Sequence, residues 1–195
     1  EKQNGASKAC SDCHGTDARE MAPKSIVRYP VYDENKGGIV TLQKSISLCR
    51  NNIGSKPLPT NHPDLIALET FVRHRAHGEA VNVQTDGPMA GLLSKGEEIY
   101  RTRYGLIDMS CAHCHSLYTG QMIRGQKISQ GQGNGFPAYR LDIGEMTNLH
   151  QRIQQCMNSM RAEPFAADSD EIKQLGLYMM SRSNGLKIET PAVRY

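Results

Sequence analysis

Two stretches decide the fold: Cys10-Ser-Asp-Cys13-His14 and Cys111-Ala-His-Cys114-His115. Each is a complete Cys-x-x-Cys-His motif, whose two thiols form thioethers with a haem while its histidine binds the haem iron on the proximal side. One copy can arise by chance or serve as a redox or zinc motif. Two copies at corresponding places in a repeated chain predict two covalently bound haem c groups. The attachment residues would be Cys10, Cys13, Cys111 and Cys114, and the proximal ligands His14 and His115.

The two halves of the chain match each other. Their first motif cysteines are 101 residues apart, and further on the spacing becomes 107 and stays constant. The matched pairs include Tyr29 and Phe136, Leu42 and Leu149, Ile46 and Ile153, Cys49 and Cys156, and Gly78 and Gly185. We assign the six extra residues to the glycine-rich run 125–135. The pattern indicates a tandem duplication that is too short to be a solenoid.

The local signals repeat with the same spacing and are helical. Thr41 and Asn148 are good N-cap residues, and each precedes apolar or cysteine positions that fall on one helix face. We expect Cys49 and Cys156 on that inner face. Later helices are predicted over 63–77 and 170–184, each followed by a glycine in the left-handed conformation. No stretch alternates with period two over a useful length, so the sequence predicts an all-α architecture.

The domain boundary is predicted near residue 80. The first domain would cover 1–80 and the second 81–195, with a linker at 79–91 where polar and small residues cluster. A helix is predicted before the second motif, starting with the capping box Ser94-Lys-Gly-Glu97. Residues 1–9 offer no counterpart to that helix. We therefore expect a signal peptide and an N-terminal helix to precede Glu1 in a periplasmic protein.

Composition excludes some functions. The formal net charge is only +3 and the basic residues are scattered, so nucleic-acid binding is not expected. No stretch is long and apolar enough to span a membrane. Aromatic residues make up 6% of the chain and Trp is absent, which is lean for two cores. Two haems would supply apolar faces for the side chains to pack on.

The sixth iron ligand of an ordinary cytochrome is Met or a second His, and we compared the candidates that the chain offers. Equivalent haems should have equivalent ligands, and no histidine after the motifs has a matched partner. Met21 and Met122 do match, but each lies only seven residues beyond its proximal histidine and would need a nearly extended chain around the haem edge. Packing on the proximal side suits them better. His113, between the cysteines of its motif, points away from the iron.

Cys49 and Cys156 are the better matched candidates, and we favour them as axial thiolates. A Cys49–Cys156 disulfide and two unrelated buried thiols are the alternatives. A thiolate ligand stabilises ferric iron and lowers the reduction potential, which makes a poor high-potential electron carrier. A cysteine sulfur that can leave the iron is also a nucleophile or sulfur acceptor. The pattern therefore favours sulfur chemistry over electron transfer alone.

One asymmetry singles out the second half. Arg152 lies one helical turn before Cys156, where the first half has Ser45 before Cys49. A guanidinium beside a thiolate can hold a sulfur oxyanion through paired hydrogen bonds, although pairing with a haem propionate is an alternative. Arg161 replaces Gly54 and adds positive charge, unless it is ordinary surface charge. The second haem site is thus predicted to be the reactive one.

These residues resemble the SoxA family, the catalytic subunits of SoxAX cytochromes in bacterial thiosulfate oxidation. The likeness covers nearly the whole chain. It is carried by Tyr29-Pro-Val-Tyr32, Leu48-Cys49-Arg50, Phe136-Pro-Ala-Tyr139-Arg140-Leu, Cys156-Met, Met160-Arg-Ala-Glu-Pro164-Phe and the terminal Gly185-Leu-Lys-Ile-Glu-Thr-Pro-Ala-Val-Arg194.

The resemblance implies two cytochrome c-like domains, a haem-bearing SoxX partner in a heterodimer and a transient complex with the SoxYZ carrier. It maps the family's sulfur-carrying haem ligand onto Cys156 and its neighbouring arginine onto Arg152. The implied activity is that of an L-cysteine S-thiosulfotransferase acting on thiosulfate. A thiosulfate dehydrogenase that forms tetrathionate and a non-catalytic electron-transfer cytochrome are the rival functions.

Overall fold

The computed structural model describes residues 5–123 and 125–195. Its α-helices are Ser11–His14 (α1), Pro23–Ile26 (α2), Leu42–Asn52 (α3), Pro63–His74 (α4), Pro88–Arg101 (α5), Leu149–Ser159 (α6) and Asp170–Ser181 (α7). Its strands are Val31–Asp33 (β1), Gly38–Val40 (β2), Met122–Ile123 (β3), Gln126–Lys127 (β4), Ala138–Arg140 (β5), Glu145–Thr147 (β6) and Ala192–Arg194 (β7). Across these ranges, no helix combines the length and the apolar character needed to cross a membrane.

The fold is helical with three small sheets, so the expectation of an all-α chain is wrong in this respect. β1 pairs with β2 and β3 with β4, both antiparallel, while β5 lies between antiparallel β6 and parallel β7. Each strand is two or three residues long. Strands this short cannot display the period-two alternation by which a strand is recognised in sequence.

Elements recur along the chain at the spacing of 107 seen in the sequence. α6 and α7 start and end 107 residues after α3 and α4, and β5 and β6 stand in the same relation to β1 and β2. The predicted caps are confirmed. Thr41 Oγ1 accepts a hydrogen bond from the Lys44 backbone N–H at 3.1 Å, and Asn148 Oδ1 accepts one from that of Gln151 at 2.8 Å.

The later helices end three residues before their predicted ends, at His74 and Ser181. The chain continues as turns with hydrogen bonds between residues three apart, a common way to finish a helix. Gly78 and Gly185 follow, and both have φ +83°, as expected for left-handed glycines after a helix.

Helix α5 begins six residues before the predicted capping box. Pro88 is its first residue, and Ser94 lies inside the helix, where its hydroxyl donates to the carbonyl of Ala90 at 3.1 Å. α5 packs closely on α7 through Gly96. A Cβ at that glycine would lie 2.2 Å from the carbonyl oxygen of Gln174, so only glycine permits this approach.

The predicted linker 79–91 contributes three buried side chains to the core, and its other residues are exposed. Val81, Val83 and Met89 are buried. The Asn184 side chain accepts from the backbone N–H of Val83 at 2.8 Å and donates to its carbonyl at 2.9 Å. One apolar cluster draws on both sides of residue 80 and comprises Ile26, Val27, Ile39, Leu42, Val72, Ala76, Val81, Val83, Met89, Leu177, Met180 and Ile188.

Candidate active site

The second haem motif brings three cysteine sulfurs together. Cys111 and Cys114 lie in the helical turns before Leu117, and Cys156 lies on α6; all three are half-buried. Burial raises the pKa of Cys111 to about 12, and the nearby Cys156 raises it further. Burial and Cys156 also raise the pKa of Cys114. The sulfur of Cys156 is therefore close enough for its charge to act on both attachment thiols.

The ring of His115 is oriented by a backbone carbonyl. Its Nδ1 donates to the carbonyl of Ser129 at 3.0 Å, which leaves Nε2 as the free iron-binding nitrogen. Burial lowers the pKa of His115, the Ser129 carbonyl opposes this, and the charges of Arg152 and Arg182 lower it further. A neutral, oriented imidazole next to two thiols is the donor set that a haem c requires. The residues at this motif therefore fit the cofactor.

His113 is held away from that site. Its Nδ1 accepts from the backbone N–H of Ser110 at 3.1 Å and lies 2.7 Å from the Ser110 hydroxyl. These contacts tie the ring to the start of the motif helix, in line with its expected lack of a role at iron.

Arg152 lies on α6 one turn before Cys156, as the sequence predicts, and its charge acts on two groups. It lowers the pKa of His115, after the larger effect of burial, and contributes to the lowered pKa of Asp142. The chief cause at Asp142 is Arg140, whose Nε and Nη2 donate to the carboxylate at 3.2 and 3.0 Å. Arg140 is buried, with 2% of its surface exposed. Arg152 thus lies within electrostatic range of both the proximal histidine and the Asp142 carboxylate.

The first motif is more open. Cys10, Cys13 and Cys49 are exposed, so Cys49 does not lie on a buried face as expected. The buried positions of α3 are instead those of Leu42, Gln43 and Arg50. Cys49 and Cys156 are both free thiols, which does not support the alternative of a disulfide between them.

The matched methionines occupy different surroundings. Met21 packs against the apolar cluster that spans both halves, whereas Met122 on β3 is 66% exposed. They do not share the equivalent environment that two equivalent axial ligands would need.

Sequence reasoning missed four residues that shape the second site: Ser129, Gln130, Asp142 and Arg182. Ser129 and Gln130 act through backbone carbonyls, which any residue type supplies, so only their place in the glycine-rich run 125–135 marks them. Arg182 matches Arg75 of the first half, so the sequence gives no sign that the surroundings of the two arginines differ.

A helical chain whose Cys-x-x-Cys-His motif is completed by an oriented histidine defines a c-type cytochrome, a protein with covalently bound haem c. The model of the family described as SoxA/TsdA, cytochrome c domain, matches residues 1–81 and 95–188. The chain belongs to this family.

Two relatives carry the name L-cysteine S-thiosulfotransferase subunit SoxA. The one from Rhodovulum sulfidophilum is 42% identical over 96% of this chain and 65% of its own length. The one from Pseudaminobacter salicylatoxidans is 37% identical over 98% of this chain and 68% of its own length. The chain thus spans about two thirds of the length of these relatives.

A solved structure has the same fold. The crystal structure of SoxXA from P. pantotrophus superimposes with a TM-score of 0.89 at 38% sequence identity. The match covers 96% of this chain and 71% of the other.

Proposed function

We propose that the protein is an L-cysteine S-thiosulfotransferase that joins thiosulfate to a cysteine of a carrier protein in the periplasm. The observation that carries the proposal is the grouping of Cys156 with the haem-attachment cysteines Cys111 and Cys114, with Arg152 one turn away. An electron-transfer cytochrome has no need of a third cysteine sulfur and a guanidinium at its haem. The names of the relatives support the same function.

Two haem c groups in two tandem cytochrome c-like domains, 1–80 and 81–195, are part of the proposal. The recurrence of α3, α4, β1 and β2 at a spacing of 107 supports a duplication. Cys10 and Cys13 would hold the first haem, with His14 and Cys49 as iron ligands. Cys111 and Cys114 would hold the second, with His115 and Cys156 as iron ligands.

We assign substrate binding to Arg152. Its planar guanidinium can donate two parallel hydrogen bonds to the sulfonate oxygens of thiosulfate, and it keeps its charge at any working pH. The outer sulfur of thiosulfate is then directed toward Cys156, the catalytic cysteine of the proposal.

The overall reaction joins two sulfurs and releases electrons. A carrier thiol and thiosulfate form a new sulfur–sulfur bond, giving a carrier S-thiosulfonate, two electrons and one proton. When bound, the second haem supplies a one-electron acceptor adjoining the reacting sulfurs. Cys156 and Arg152 align the two sulfur partners, and the half-buried setting of Cys156 limits the access of water.

The partners follow from the reaction. Electrons have to leave the protein, and we propose that a SoxX haem subunit receives them in a heterodimer. The resemblance to a structure titled SoxXA supports this partner. The carrier cysteine would be that of SoxYZ, which binds transiently because it must depart with the product.

Mass spectrometry of the carrier tests the function. The haem-loaded protein with its partner subunit is incubated with thiosulfate, the carrier and an electron acceptor. We expect one S-thiosulfonate group on the carrier cysteine, and none when the acceptor or this protein is omitted. An unmodified carrier would contradict the proposal.

Two rival functions give different results in the same experiment. A thiosulfate dehydrogenase would produce tetrathionate without any carrier. A pure electron-transfer cytochrome would produce neither compound, and low-temperature electron spin resonance would show His/Met ligation at both irons.

A further inference from the structure

Arg182, at the end of α7, is held in an aromatic enclosure. Its guanidinium carbon lies 5.1 Å from the ring centre of Tyr100 and 5.7 Å from that of Tyr178. Its Nη1 also donates to the hydroxyl of Tyr178 at 3.4 Å. The negative faces of aromatic rings attract a cation, more strongly where water is displaced. The positive charge is therefore confined to one place.

The loop from Ser129 to Gly131 connects Arg182 to the proximal histidine. Arg182 Nε donates to the carbonyl of Gln130 at 3.0 Å, and the preceding carbonyl, that of Ser129, accepts from His115 Nδ1 at 3.0 Å. Gly131 fits closely behind the histidine, since a Cβ there would lie 3.2 Å from His115 Cβ. Consecutive peptide groups thus link the arginine to the imidazole.

The first half has no comparable arrangement. Arg75 matches Arg182 in sequence but is exposed. Phe71, which matches Tyr178, is 48% exposed. The segment that contains this loop, from His115 to Phe136, is six residues longer than the matching segment from His14 to Tyr29. Among the described residues, the ring of His14 makes no hydrogen bond to a loop carbonyl.

We propose that Arg182 is a fixed positive charge that raises the reduction potential of the haem bound at Cys111, Cys114 and His115. A cation near the iron disfavours the extra positive charge of the ferric state. The effect opposes that of a thiolate ligand and makes the second haem a better acceptor for electrons from the sulfur reaction. This inference rests on the haem attachment within the proposed function and not on the substrate.

Potentiometric titration of the haem-loaded protein, followed by electron spin resonance of each haem, tests this role. Three variants are compared with the natural protein: Arg182→Gln, Arg182→Lys and the matched control Arg75→Gln. At a fixed solution potential, Arg182→Gln should lower the ferrous-to-ferric ratio of the second haem by about threefold to tenfold. Arg182→Lys keeps the charge and should keep most of the ratio, and Arg75→Gln should leave it unchanged.

Equal shifts in Arg182→Gln and Arg182→Lys would overturn the proposal, because they would indicate a purely structural role. An unchanged ratio in correctly loaded Arg182→Gln would overturn it too. Gln130→Glu introduces a negative charge that opposes the charge of Arg182. The position is exposed, so the variant should fold normally. Its new carboxylate, on the residue whose backbone carbonyl Arg182 contacts, should lower the ratio at least about twofold, and no change would count against the proposal.

These titrations contain neither thiosulfate nor carrier. Failure of the conjugation reaction would leave the potentials as expected here, and unaltered potentials would leave the conjugation reaction intact. The two proposals are therefore tested separately.

Discussion

The hydroxyl of Tyr29 donates a hydrogen bond to Ser45 Oγ at 2.9 Å, at the place where the second half has Phe136 and Arg152. In the first half, the side chains at these two positions therefore bind each other through a hydrogen bond. Phe136 has no hydroxyl to engage a partner, and Arg152 acts instead on His115 and Asp142. These two exchanges distinguish a first site with a neutral hydrogen bond from a second site with a cation.

Replacing Arg152 by Ser, the residue of the first half, should impair conjugation. A charge-assisted contact to a developing oxyanion contributes about 2.7–4 kcal/mol, so we expect the rate to fall by roughly 10²–10³-fold. Arg152→Lys should retain an intermediate rate, because it keeps the charge and loses the planar fork. Initial rates of carrier modification at several thiosulfate concentrations measure the effect.

Arg161→Gly is the matched control for that experiment. Arg161 is exposed and has φ +55°, and its counterpart Gly54 has φ +78°, so glycine suits this backbone. The variant removes one positive charge and should keep the conjugation rate, with a change in unfolding free energy below about 1 kcal/mol. A loss equal to that of Arg152→Ser would mean that general positive charge, and not Arg152, binds the substrate.

Cys49→Met should alter the first haem and spare the reaction. A thioether ligand favours ferrous iron more than a thiolate does, so the potential of the first haem should rise. Absorption spectra and potentiometry report this change, and carrier modification reports turnover. Complete loss of activity in the folded, haem-loaded variant would contradict a structural or electron-storing role for the first haem.

Gly96→Ala should destabilise the second half. The added Cβ would lie 2.2 Å from the Gln174 carbonyl, so α5 and α7 would have to separate. We expect a loss of about 2–4 kcal/mol in unfolding free energy, as for other overpacked contacts. Gly91→Ala lies in the same helix with open space around it, and it should gain about 0.5–1 kcal/mol. Denaturant titration of both variants distinguishes a contact effect from helix propensity.

Glu69→Gln should change how stability depends on pH. Glu69 lines a cavity of about 50 Å³ with Arg73, Gln43 and His150, and burial raises its pKa to about 7 despite Arg73 and Gln43. The folded state therefore binds a proton that the unfolded state releases between pH 4.5 and 7, so the contribution of Glu69 to stability falls as pH rises through that window.

The difference in unfolding free energy between Glu69→Gln and the natural protein isolates this effect. Relative to its value in acid, the difference should be small at pH 4.5 and should favour the variant by roughly 3 kcal/mol at pH 8. His150 has a pKa lowered to about 4, mainly by burial, and works in the opposite direction: its contribution is lost as pH falls from 6.5. It cancels in the difference, and a difference that does not vary with pH would refute the titration of Glu69.

Repeat spacing and capping residues predicted much of the fold. The start of α3 after Thr41 and of α6 after Asn148 could be read from sequence, since each cap satisfies a free N–H with its own side chain. The start of α5 was missed because Ser94 resembled a cap. Pro88, whose fixed φ suits the first helical turn, was the better signal.

The candidate site was predictable where it depends on side chains and their spacing. Cys156 and Arg152 share a helix, and their relation follows from helix geometry. The orientation of His115 depends on the carbonyl of Ser129, whose position is set by the tertiary path of the inserted loop. The exposure of Cys49 depends on which side of α3 the rest of the chain covers, and the periodicity of that helix alone does not decide it.

The catalytic role of Cys156 is tested most directly by the yield of carrier S-thiosulfonate. The yield is measured for Cys156→Ala and for Cys49→Ala, both as haem-loaded protein with the partner subunit. Mass spectrometry first establishes that each variant retains its haem. Cys156→Ala should give no modified carrier, whereas Cys49→Ala should give a yield close to that of the natural protein. Full carrier modification by correctly loaded Cys156→Ala would contradict this catalytic role.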